Sequence, residues 1–95
     1  MVPGDKVGAR MVEQETTVGP LEGLHARPAA EFVQVAKGFS SEIMVRKGEI
    51  EANAKSSLKL MTLGAKHGDE ILIRAEGGDA EEAVNALVKR LSAKE

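Results

Sequence analysis

The sequence predicts a small α+β domain with elements in the order β-α-β-β-α-β-α, and three observations predict it. Two stretches, Ala26 to Lys37 and Asp79 to Leu91, place apolar residues at the three-and-four spacing of a helix with one buried face. Several shorter stretches alternate apolar and polar residues with the period of two that marks a half-buried strand. Glycine-containing turns separate these stretches. The 95 residues suit a single domain. A chain of that size can fold around one core without staples, with little to spare.

Residues 1–10 hold Pro3, Gly4 and Gly8, show no periodicity, and are expected to form a flexible tail ahead of a domain over residues 11–95. Met11 to Val18 reads as the first strand, with Val12, Thr16 and Val18 on one face; Gly19 and Pro20 end it and open a loop. The first helix spans Ala26 to Lys37, with Ala26, Ala29, Phe32, Val33 and Ala36 as its apolar stripe and Gly38 as its stop. Pro28 is tolerated there because first-turn N–H groups have no intrahelical partner. Glu42 to Arg46 forms the next strand, with Ile43 and Val45 on one face. Lys47-Gly48 marks a hairpin turn, and Ile50, Ala52 and Ala54 alternate on the returning strand. Ser56 offers an N-cap to a short helix that reaches Leu63 and ends at Gly64. Gly68-Asp69 leads into the last strand, whose buried face carries Ile71, Ile73 and Ala75. After Gly77-Gly78 comes the final helix, where Asp79 and Glu82 fit a capping box. Val84, Leu87, Val88 and Leu91 form its inner stripe, with acidic residues at its start and basic ones near its end, as the helix dipole favours. The strand alternation implies one sheet face covered by helices and one wet face, and leaves the strand order open.

Composition removes several kinds of chemistry. The absence of cysteine excludes disulfides, zinc–thiolate centres and thiol catalysis, and suits a reducing cytoplasm. Two histidines and scattered carboxylates show no metal-ligand spacing, so neither a metal nor a cofactor is expected. No apolar run approaches membrane-spanning length, and the N-terminal residues lack the apolar core of a signal peptide. The net charge of −2 gives no reason to expect a nucleic-acid or membrane partner. Two phenylalanines as the only aromatics make a base-stacking platform hard to build. Gly64 to Gly68 is too short for a phosphate-binding P-loop and lacks its Lys-Ser/Thr pair.

The segment Gly23-Leu24-His25-Ala26-Arg27-Pro28-Ala29-Ala30 concentrates the chemistry. His25 falls at or next to the N-cap of the first helix. Free backbone N–H groups and the positive end of the helix dipole gather at such a position, which is a ready anion site. Arg27 adds a permanent cation whose planar fork matches phosphate oxygens. A titratable ring, an anion-binding helix start and a guanidinium within three residues point to phosphate chemistry on the histidine. The other histidine, His67, lies in a loop before a strand and reads as a solvent-exposed residue.

This segment resembles the active-site signature of HPr, the histidine-containing phosphocarrier of the bacterial phosphoenolpyruvate:sugar phosphotransferase system. A second stretch similar to the family, Asn53-Ala54-Lys55-Ser56-Ser57-Leu58-Lys59-Leu60-Met61-Thr62-Leu63-Gly64, follows at the family's distance, and the resemblance runs from about Met11 to Glu95. It implies an open-faced β-sandwich: a four-stranded antiparallel sheet in the order 1-4-2-3 with three helices on one face. It also implies a cytoplasmic, monomeric phosphocarrier rather than an independent catalyst. Enzyme I would phosphorylate His25 on Nδ1, with Arg27 stabilising the phosphate, and the group would pass to a histidine of a sugar-specific enzyme IIA. Complexes with both partners should be transient.

In the family the short helix and the start of the first helix form an apolar docking patch, a role that falls here to Leu58 and Met61, flanked by Lys55 and Lys59. Ser57 departs from the larger apolar residue common at its position. Glu22 stands where many members carry a small or neutral polar residue; a carboxylate facing His25 would favour the protonated ring and repel the phosphoryl group. Ser56 is explained by helix capping alone. In many Gram-positive members the matching serine is also phosphorylated by HPr kinase/phosphorylase, which regulates carbon use.

Rival readings are a carrier for a nitrogen-regulatory or dihydroxyacetone-kinase branch, and a small RNA- or phosphate-binding module using Arg27, Lys55 and Lys59. Net acidity, the lack of a Gly-x-x-Gly clamp and the shortage of aromatics count against RNA.

Overall fold

A computed structural model describes residues 10–92. The expected tail, Arg10 excepted, lies outside them. Arg10 itself is joined to the domain: its carbonyl accepts the Gly77 N–H at 2.8 Å and its side chain reaches Glu81 at 3.3 Å.

The elements are β1 (Met11–Thr17), α1 (Ala26–Lys37), β2 (Glu42–Lys47), β3 (Ile50–Asn53), α2 (Ser57–Met61), β4 (Glu70–Glu76) and α3 (Ala80–Ser92). The four strands form one antiparallel sheet in the order β1-β4-β2-β3. Register brings Val12 and Ile43 to either side of Ala75, and Val45 between Ile73 and Ala52, so one face is apolar. Phe32 of α1 and Leu87 and Leu91 of α3 close over that face with Ile43, Val45 and Ile73, all fully buried. The opposite face is open and charged. There Arg74 meets Glu13 at 3.9 Å and Glu51 at 3.6 Å, and Arg46 meets Glu51 at 3.8 Å. These surface pairs contribute little stability; the core burial carries the fold.

The α1 boundaries match expectation, but Ala26 does not belong to the buried stripe. It is exposed, and its φ of +49° turns it away before the helical repeat is established. Ile50, expected to alternate inward with Ala52, is 52% exposed because it stands at the hairpin end of an edge strand, paired only with Lys47. The second helix stops at Met61 rather than Leu63, as the chain tightens: Thr62 N–H bonds the Lys59 carbonyl and Leu63 N–H the Leu60 carbonyl.

The Asp79 carboxylate does not cap α3. It crosses to the start of β2, accepting the Ser40 N–H at 2.9 Å, the Ser41 N–H at 3.0 Å and both serine hydroxyls. Ser41, otherwise a buried polar liability at 1% exposure, is thereby satisfied. These bonds, with that of the Ser41 hydroxyl foremost, hold the Asp79 carboxyl down at about 2 from an ordinary 3.8.

Candidate functional site

His25 is the N-cap residue of α1, with extended backbone (φ −144°, ψ 158°). Its ring makes no capping hydrogen bond and is exposed, so it is not occupied in holding the helix. Among the described residues, the first α1 N–H with a backbone acceptor is that of Ala29, which reaches the His25 carbonyl at 3.4 Å. Pro28 has no N–H, so those of Ala26 and Arg27 are the donors left at the helix start. Ala26 adopts the left-handed backbone directly after His25, a conformation that costs a non-glycine residue roughly 1–2 kcal/mol. The surrounding packing must hold it there.

That packing comes from the loop between α2 and β4. Leu24, 2% exposed, is an apolar anchor one residue before the histidine, and its N–H donates to the Ala65 carbonyl at 3.0 Å. Gly23 has φ +74° and lies against the same residue. Val18 N–H bonds the Asp69 carbonyl at 2.9 Å, and Gly68 N–H bonds the Val18 carbonyl at 2.8 Å. His67 is exposed, as expected, but is not merely solvated: its Nδ1 lies 3.0 Å from the Gly19 carbonyl and, as donor, ties this loop to the one that carries His25. The sequence signal for this cradle was slight, a glycine ahead of Leu24-His25; nothing local marked Ala65 or His67 as its partners.

Arg27 is exposed and, among the described residues, has no carboxylate within ion-pair distance. It lines a shallow hollow with Pro20, Leu21, Glu22, Pro28 and Glu31. Glu22, the unusual residue of the loop, is thus exposed on the Arg27 side of the site. Leu21, 71% exposed at the rim of that hollow, was not singled out from the sequence because a lone leucine in a loop carries no periodic signal.

The other predicted site residues lie on or beside α2, which packs against α1. Ser56 is its N-cap; Oγ accepts the Lys59 N–H at 3.2 Å. Leu58 is 69% exposed, Met61 half-buried and Leu60 buried, so this one-turn helix turns Leu60 to the core and Leu58 outward. Lys59 is exposed. Lys55 is half-buried, and its ammonium donates to the Phe39 carbonyl at 2.7 Å, linking the approach to α2 with the end of α1. Among the described residues no three His, Cys, Asp or Glu side chains gather as a metal site, and no helix is long and apolar enough to cross a membrane.

The open-faced sandwich with an exposed histidine at the start of its first helix is the architecture of a phosphocarrier. The chain belongs to the HPr family of phosphotransferase-system phosphocarriers. The family model "PTS HPr component phosphorylation site" matches residues 12–93. Phosphocarrier protein HPr of Haemophilus influenzae is 46% identical over 78 residues, covering 82% of this chain and 92% of the relative. The HPr-like protein Crh of Bacillus subtilis is 43% identical over 77 residues, covering 81% and 91%. The crystal structure of HPr from Bacillus anthracis superposes with a TM-score of 0.83 at 43% identity, covering 85% of this chain and 96% of that one. HPr from Thermoanaerobacter tengcongensis gives 0.82 at 46% identity, covering 84% and 90%.

Proposed function

We propose that His25 accepts a phosphoryl group from phospho-enzyme I and passes it to a histidine of a sugar-specific enzyme IIA in the cytoplasm, the protein acting as a monomer. The observation that carries this reading is the exposed, uncapped His25 ring beside the two free N–H groups of α1. A neutral imidazole nitrogen is a nucleophile, and phosphoryl transfer asks mainly for positioning and charge stabilisation. The Nδ1 lone pair attacks phosphorus, the bond from phosphorus to the donor breaks, and the donor leaves with that electron pair. Transfer onward repeats the exchange with His25 as leaving group, so nothing is oxidised and no water enters. The Ala26 and Arg27 N–H groups and the Arg27 fork face the phosphoryl oxygens. Leu58 and Met61, with Lys59 beside them, supply the docking surface for both partners.

The same reading makes Ser56 a regulatory phosphorylation site for an ATP-dependent kinase. A relative, Crh, the catabolite repression HPr of Bacillus subtilis, supports a place in carbon regulation.

The test is incubation with enzyme I and labelled phosphoenolpyruvate, followed by site mapping. One acid-labile phosphate is expected, on His25. His25→Ala should take no label and keep its melting temperature, because the ring is exposed. Label retained in that variant, or mapped to His67, would overturn the assignment.

A further inference from the structure

Arg27 and Glu31 are four residues apart on α1, hence one turn apart on the same face, and both line the hollow beside the His25 loop. A carboxylate in that place is a rival to phosphate. A guanidinium engaged with Glu31 presents its donors to the wrong oxygens. The structure shows the rival already occupied: Glu31 Oε1 accepts a hydrogen bond from Arg90 Nη2 of α3. Arg27 has no ion-pair partner among the described residues. The Arg90–Glu31 pair is 44% and 42% exposed, too wet to matter much for stability. Its consequence lies in which cation the carboxylate serves.

We propose that Arg90 is a positioning residue for phosphoryl transfer: by holding Glu31 across the α1–α3 contact it keeps the Arg27 guanidinium free for the phosphoryl group on His25. The proposal rests on the assignment of His25 and Arg27 above. Glu22 also lines the hollow; it is common to every variant below and cancels from the comparison.

The experiment measures the rate of His25 phosphorylation by phospho-enzyme I, with the full chain below saturation and at low salt. In Arg90→Ala, Glu31 is released toward Arg27 and the rate falls about two-fold, the scale of a helical i,i+4 ion pair. The loss shrinks as salt screens the pair. Arg90→Lys keeps the rate, because a cation still holds the carboxylate. Glu31→Gln with Arg90→Ala restores it, because the rival is gone. In an Arg27→Ala background, Arg90→Ala changes nothing further, since there is no guanidinium left to capture.

A wild-type rate in Arg90→Ala overturns the proposal. So does slowing that persists when Glu31→Gln is added, which would assign Arg90 to packing or to docking. Undiminished slowing in the Arg27→Ala background would show plain repulsion by Glu31 and overturn it too. Failure of the underlying assignment is distinct: label absent from His25, or an Arg27→Ala rate equal to wild type.

Discussion

Gly23 lies so close to Ala65 that a Cβ built on it would stand 2.5 Å from the Ala65 carbonyl oxygen. The neighbouring Leu24 N–H is hydrogen-bonded to that oxygen at 3.0 Å, so the carbonyl cannot retreat without losing the bond that anchors the His25 loop. Gly64, at φ +64°, shares the left-handed backbone of Gly23 but has nothing within 4 Å of its Cβ position. Gly64→Ala should therefore cost about 1–2 kcal/mol, the backbone term alone. Gly23→Ala should cost clearly more in urea denaturation and should slow charging of His25 as well. Equal losses in the two variants would show that contact with Ala65 does not constrain the loop.

Arg27→Ala should slow phosphorylation of His25 with little loss of stability. The side chain is exposed and unpaired among the described residues, so the folded state loses no contact of note. Removing a preorganised charge-stabilising donor costs a transition state roughly 2–4 kcal/mol. Arg27→Lys should rescue only in part, since a point charge replaces a planar fork. Single-turnover transfer from phospho-enzyme I measures this. Unchanged kinetics in Arg27→Ala would make the guanidinium a solvated bystander.

Local pattern made the elements legible but not their long-range contacts. Phe32, Val33 and Ala36 announced α1 because each buried position repeats with the helical period, and Ile71, Ile73 and Ala75 announced β4 by alternation. The strand order came from family resemblance alone, because the β1–β4 pairing joins segments distant along the chain and leaves no local trace. The pairing of Glu31 with Arg90, across 59 residues, was invisible for the same reason. Asp79 reads locally as a cap because an aspartate before a helix has the helix-start N–H groups as its nearest donors, whereas folding offers it the donors of Ser40 and Ser41, 39 and 38 residues away. The positive φ of Ala26 was missed because alanine is the residue least expected to mark a break in a helix. The places of His25 and Ser56 at helix starts were legible because helix ends have a local chemistry. The loop that packs against the His25 segment was not.

Asp79 predicts an acid dependence of stability. Its carboxyl ionises at about 2 in the folded protein against 3.8 ordinarily. Between these values the unfolded chain binds more protons than the native one, so stability rises with pH across that window. The contribution is complete above the unfolded value and is lost as pH falls through the folded one. Asp79→Asn should therefore be less stable than wild type at pH 6, with the gap narrowing as pH is lowered from about 4 toward 2. Urea denaturation at a series of pH values measures both curves, and a gap independent of pH would show that the serine bonds do not discriminate between the charged and neutral carboxyl.

A phosphate on Ser56 should impair charging of His25 by enzyme I without unfolding the protein. Ser56 begins the helix that presents Leu58 to solvent, and its half-buried hydroxyl caps that helix through Lys59 N–H. A phosphoserine keeps acceptor oxygens at the helix start and so preserves the cap, while adding about −2 of charge to a surface otherwise made of apolar groups and Lys59. That charge would repel acidic groups on enzyme I and would have to be desolvated on docking. Ser56→Asp also keeps a capping acceptor but carries less charge, so it should slow transfer in the same direction and by less. Ser56→Ala should leave the transfer rate near wild type while losing about 1 kcal/mol of stability through the missing cap. Rates of His25 phosphorylation for the three proteins, taken at low salt where screening is weakest, separate the roles. If Ser56→Asp transfers as fast as both wild type and Ser56→Ala, Ser56 is a helix cap and nothing more.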